Sequence, residues 1–145
     1  MSSKEIEIIL VEDNMDDATL AILSLKRNNV TNKIIHLKNG DEALQFIFSG
    51  AEYEGEQFSE HPKVVLLDLK MPKVNGMEVL SKIKSTSTTK TMPVIILTSS
   101  AEDPDIKKCY ALGANSYIVK PVEFENFSKQ IAELGFYWTV INKLG

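Results

Sequence analysis

The chain has 145 residues, 43% hydrophobic and 25% charged, with a net charge of −4 and a single cysteine, Cys109. This is the size and make-up of one soluble domain able to bury its own core, and no apolar run approaches the roughly 20 residues a membrane span requires. The acidic balance supplies no cluster of Lys and Arg for direct DNA binding, and one cysteine allows neither an internal disulfide nor a cysteine-built zinc site.

Residues 1–5 lead straight into a strand pattern, with no apolar stretch before a cleavage site, so a cytoplasmic location is expected. Residues 6–11 form the first strand, which ends in Glu12 and Asp13. Asp16 and Asp17 stand where an N-cap and first-turn acids belong. Ala18, Leu20, Ala21, Ile22, Leu23 and Leu25 then give the apolar face of a helix ending at Asn28 and Asn29. A second strand over 33–37 contains His36, read as an ordinary side chain like His61. After the turn at Asn39-Gly40, a helix carries Ala43, Leu44, Phe46, Ile47 and Phe48. Residues 50–62 are polar and acidic and read as an exposed loop of tolerated length, because surface insertions add little closure entropy.

The third strand, 63–67, is too apolar to be anything but buried, and it ends in Asp68. After Pro72 and Gly76 a helix presents Met77, Val79, Leu80 and Ile83. Pro93 opens the fourth strand, which ends in Thr98. Asp103-Pro104 reads as an N-cap with proline at N1, starting a helix that Gly113 stops, with Cys109 half-buried on it. The fifth strand, 116–120, ends in Lys120. A last helix from near Glu123 places Phe124, Phe127, Ile131 and Leu134 on one face.

Five strands alternating with five helices predict an α/β domain with a parallel sheet covered on both faces. In such sheets the C-terminal strand ends border one crevice. Glu12, Asp13, Asp68, Thr98 and Lys120 are therefore the candidate site. Carboxylates converging within a few ångströms repel by about 1–4 kcal/mol per pair at near-surface dielectric, which calls for a cation. Mg²⁺, a hard ion that prefers oxygen ligands, suits them, with Asp68 as nucleophile. Taken singly, Lys120 would read as a solvated lysine, Thr98 as a strand-end cap and Tyr117 as a β-favouring aromatic.

Glu12-Asp13, Asp68 with Pro72 and Gly76, Thr98-Ser99 and Lys120-Pro121, in that order at successive strand ends, resemble response-regulator receiver domains over about residues 5–134. The resemblance implies a flavodoxin-like (βα)5 doubly wound sheet of order 2-1-3-4-5. It also implies phosphorylation of Asp68 by a sensor histidine kinase, with self-catalysed transfer and autodephosphorylation rather than turnover of a substrate. Asp13, Asp68 and the backbone carbonyl of Lys70 would hold Mg²⁺, with Glu12, where many receivers have Asp, acting through water. Lys120 and Thr98 would take up charge on the phosphoryl oxygens. A cis Lys120-Pro121 bond, and a switch in which Thr98 moves while Tyr117 changes rotamer, belong to the same pattern.

Residues 1–145 are expected to form a single stand-alone receiver, since only ten residues follow Gly135. The apolar segment 135–145, with Phe136, Tyr137 and Trp138, either extends the last helix or forms an interface tail. That ending and the 50–62 loop resemble the small response regulators paired with cyanobacterial phytochrome kinases. The likeness implies a phytochrome-type kinase and a homodimer through the last two helices, the fifth strand or the tail. A histidine phosphotransfer protein is a further candidate partner. The alternative is a pseudo-receiver, an interaction module without phosphotransfer. A flavin or nucleotide binder is disfavoured because the turn Glu12-Asp13-Asn14-Met15 lacks glycine. A haloacid-type phosphatase would need an acid where Lys70 stands.

Overall fold

Continuous apolar runs, rather than alternating ones, make strands buried on both faces. In the computed structural model, which describes residues 6–53, 55–59 and 63–134, they do so here. β1 (Glu7–Val11), β2 (Ile34–Leu37), β3 (Lys63–Asp68), β4 (Val94–Thr98) and β5 (Ser116–Val119) form one parallel sheet in the order β2-β1-β3-β4-β5. Every residue of β3 and β4 is buried.

α1 (Met15–Arg27) and α5 (Phe124–Glu133) cover one face, where Ala18, Ala21, Leu25, Phe127 and Ile131 pack on Ile8, Leu10, Val64, Leu66, Ile95 and Leu97. α2 (Gly40–Phe48), α3 (Gly76–Ser85) and α4 (Asp105–Ala111) cover the other, where Phe46, Val79, Leu80, Ile83 and Cys109 pack on Ile9, Val11, Val65, Leu67 and Ile96. The parallel register pairs Val11 with Leu67, Asp68 with Leu97 and Thr98 with Val119. Four strand ends are thereby brought level along one edge.

Side-chain caps fix the turns that leave that edge. Asn14, Asn39 and Asn75 each accept the N–H three residues on, from Asp17 (2.9 Å), Glu42 (2.8 Å) and Glu78 (3.1 Å). The expected cap at Asp16 or Asp17 is corrected: Asn14 reaches back from an extended backbone, so both acids fall inside the first turn. The apolar residues of α1 also divide, contrary to the single face expected. Ala18, Ala21 and Leu25 are buried, while Met15, Leu20 and Leu23 are 52%, 55% and 42% exposed. Five consecutive positions from Ala21 to Leu25 span more than one turn, so they cannot all face the sheet.

Three smaller readings change. Cys109 is fully rather than half buried, because it points into the core under α4. α4 starts at Asp105, and Asp103 Oδ1 accepts its N–H at 2.9 Å, so the cap acts two residues on. Residues 50–62 are not wholly exposed, since Tyr53 and Phe58 set their rings edge-on to Phe46, at 6.3 and 5.8 Å between centroids. Phe58 also lies 5.0 Å beneath the buried Lys63 ammonium, which pairs with Glu7. His61 and residues 135–145, with the predicted tail, lie outside the described residues.

Candidate functional site

Asp68 closes β3 with its side chain 5% exposed, and the chain beyond it is held tightly. Gly76 at the start of α3 touches the Asp68 carbonyl so closely that a Cβ there would lie 2.3 Å from the oxygen. Lys70 N–H donates to Asp68 Oδ1 at 3.4 Å. From the neighbouring strand end, Glu12 and Asp13 each offer a carboxylate oxygen that lies, with one from Asp68, within a 4.8 Å group. Asp13 is exposed, whereas Glu12 is 1% exposed. Glu12 also accepts the Asn14 N–H at 3.1 Å, and His36 Nε2 sits 2.8 Å from its backbone carbonyl.

Lys120 follows β5 directly, one residue beyond the observed strand end, and its peptide bond to Pro121 is cis. Its ammonium stands 3.3 Å from Glu12 Oε1, 3.4 Å from Asp68 Oδ1 and 3.4 Å from Asp17 Oδ2. Burial works to lower the lysine pKa, but Asp68, Glu12 and Asp17 outweigh it and hold the group above its ordinary value. Asp68 moves the other way from a normal salt-bridged acid. Burial, then the hydrogen bond and charge of Glu12, push its carboxyl up to about 7, against the opposing pull of Lys120. One ammonium among four carboxylates leaves the cluster short of positive charge, and its hard oxygen donors fit a divalent cation.

Thr98, 2% exposed, ends β4 on the far side of Asp68. Its hydroxyl donates toward the Ser100 carbonyl at 3.1 Å and Asp103 Oδ2 at 3.3 Å. Asp103 also meets Lys70 Nζ at 3.5 Å. The Asp105 N–H, outweighing burial and helped by Lys70 and Thr98, holds the Asp103 carboxyl below its usual range. Asp68, Lys70, Thr98, Ser99, Asp103 and Lys120 line a cleft of about 60 Å³. Pockets for drug-sized ligands begin near roughly 300 Å³, so this cleft takes a much smaller group. Tyr117 lies half-buried on β5, opposite Ile96, and lines a separate groove with Tyr110.

The residues predicted at the strand ends thus converge, with Tyr117 on a neighbouring face. Sequence reasoning missed Asp17 and Asp103 as site residues. In the sequence both look like helix-start acids and nothing more, yet a helix that starts at a strand end brings its first acids to the same edge.

A family model described as the response regulator receiver domain matches residues 8–132. A probable methanogenesis regulatory protein, FilR2 of Methanothrix harundinacea, is 39% identical over 94% of this chain and 85% of its own length. Among solved structures, the bacteriophytochrome response regulator AtBRR superposes with a TM-score of 0.82 at 40% identity, covering 96% of this chain and 99% of that one. The Mn²⁺-bound form of response regulator Rcp1 gives 0.69 at 33% identity, over 92% and 94%. The phosphorylated cyanobacterial phytochrome response regulator RcpA gives 0.70 at 32% identity, over 97% and 96%.

Proposed function

This chain belongs to the response regulator receiver domain family, and on that premise we propose that Asp68 accepts a phosphoryl group from a sensor histidine kinase. One observation carries the reading: a buried carboxylate lies 3.4 Å from the Lys120 ammonium, in a cleft large enough only for a small group. An oxygen of Asp68 attacks phosphorus, the P–N bond of the phosphohistidine breaks, and its electron pair leaves with the imidazole. Lys120 meets the charge on one phosphoryl oxygen and the Thr98 hydroxyl another, the positioning and neutralisation on which this transfer depends. Asp13, Asp68 and the Lys70 carbonyl would hold Mg²⁺, with Glu12 outside them, and the bound ion supplies further charge neutralisation. Hydrolysis of the acyl phosphate returns Asp68 and releases inorganic phosphate.

The signal leaves by a linked movement of Thr98 and Tyr117, and the partner kinase is of the phytochrome type. Similarity to AtBRR and RcpA supports that choice of kinase. A histidine phosphotransfer protein is a second candidate partner. A homodimer through α4, α5, β5 or residues 135–145 completes the proposal. Sizing of wild type against Trp138→Ala tests the tail: equal dimer fractions would remove Trp138 as an anchor. The function itself is tested by autophosphorylating a phytochrome-type kinase and following label onto this chain. Transfer to wild type and none to Asp68→Asn is expected. Retention of all label on an active kinase would reject that kinase class.

A further inference from the structure

Thr98 has one hydroxyl proton, and that proton is already engaged. Its oxygen stands 3.1 Å from the neutral Ser100 carbonyl and 3.3 Å from the anionic Asp103 Oδ2, the latter inside the cleft that Thr98 and Asp103 share with Asp68 and Lys120. A single hydroxyl proton cannot serve two strong acceptors fully. The Asp103 side chain, 6% exposed, is fixed from its other end, where Oδ1 accepts the Asp105 N–H at 2.9 Å. Oδ2 therefore cannot swing away without releasing the start of α4. Lys70, 69% exposed and 3.5 Å away, supports the carboxylate charge but contributes little by itself.

We infer that Asp103 is a positioning residue that competes with a phosphoryl group on Asp68 for the Thr98 hydroxyl, and so sets how readily Asp68 is charged. The inference rests on the phosphoacceptor reading above. Of the acceptors within reach, the Ser100 carbonyl is neutral and only Asp103 matches a phosphoryl oxygen in charge, so Asp103 is the competitor whose removal is expected to matter. Asp103 also meets Lys70, whose backbone N–H donates to Asp68, so the Thr98 route is separated from the Lys70 route by a Thr98→Ala background.

Asp103→Asn isolates the effect. The amide oxygen can keep the Asp105 N–H, which turns the NH₂, a donor, toward Thr98. Asp103→Ser can also cap Asp105 but is too short to reach the hydroxyl. With acetyl phosphate and Mg²⁺, the P–O bond to acetate breaks, acetate leaves with the electron pair, and a new bond joins Asp68 to phosphorus. Intact-mass measurement of the initial rate should show both variants labelled about tenfold faster than wild type, the scale of one hydrogen bond to a charged acceptor. In a Thr98→Ala background, Asp103→Asn should give no further gain. If wild type is labelled but neither Asp103 variant is faster, the inference is overturned, as it is by an equal gain without Thr98. If wild type takes up no phosphoryl group, the phosphoacceptor reading itself fails.

Discussion

Lys120 stands between three carboxylates, and its contacts tie the end of β5 to Glu12 after β1, to Asp68 at the end of β3 and to Asp17 in the first turn of α1. Replacing it with Met keeps the stem and removes the charge. Adduct formation from acetyl phosphate is expected to slow by about 10²-fold, the usual loss for one preorganised charge-stabilising donor. An unchanged rate would remove Lys120 from the chemistry.

Asp68 carries a cost to the metal-free fold. Its folded pKa of about 7 lies above the ordinary 3.8. Between those values the folded chain binds more protons than the unfolded one. Metal-free stability from this group is therefore highest below the lower value and falls as pH rises through the window. In chelator at pH 8, Asp68→Asn should melt above wild type, with the gap closing as pH falls toward 4. A gap that stays constant with pH would contradict this assignment.

At the scale of elements, the site depends on how closely helices approach strand ends. Gly76→Ala would drive a methyl group to 2.3 Å from the Asp68 carbonyl, so α3 or the 68–75 turn must shift. A loss of about 1–3 kcal/mol is expected from such overpacking, with slower labelling, because Asp68 moves with its carbonyl. Asn75→Ala, which removes the capping box of α3 without adding bulk, should cost about 1 kcal/mol and leave the labelling rate closer to wild type. Denaturant melts and initial rates on both variants separate the two effects. If Gly76→Ala matched wild type in both measurements, the close approach would not matter.

The helix-start acids also mark where sequence reading stopped. Asp68, Thr98 and Lys120 were legible because each ends an apolar run, and strand ends of a parallel sheet share an edge whatever the side-chain details. Asp17 and Asp103 were not, because an acid in a first turn looks the same whether it serves the helix or the cleft. The division of α1 was hidden for a related reason. Met15, Leu20 and Leu23 are as apolar as the buried residues beside them, and only the helix rotation against the sheet separates the sets.

For the whole molecule, parallel pairing and double coverage followed from alternation and continuous hydrophobicity, because right-handed crossovers lay each helix against the sheet, whereas the strand order 2-1-3-4-5 was implied only by the resemblance to receiver domains. The anchoring of the 50–62 loop followed from neither, since Tyr53 and Phe58 find Phe46 only after α2 is in place. The electrostatics of the site also act globally. A cation bound only by the folded chain stabilises it by about 2.7 kcal/mol at a hundred times its Kd. Addition of Mg²⁺ should therefore raise the melting temperature of wild type, and chelator should reverse the rise. Asp13→Asn, which removes a proposed ligand, should blunt the rise, whereas a full Mg²⁺ response in that variant would remove Asp13 from the ligand set. The central claim, that Asp68 is the phosphoacceptor, is tested most directly by intact-mass analysis after incubation with acetyl phosphate and Mg²⁺. One phosphoryl adduct on wild type and none on Asp68→Asn is the expected result. No adduct on folded wild type at saturating donor, or an adduct that survives Asp68→Asn, would contradict it.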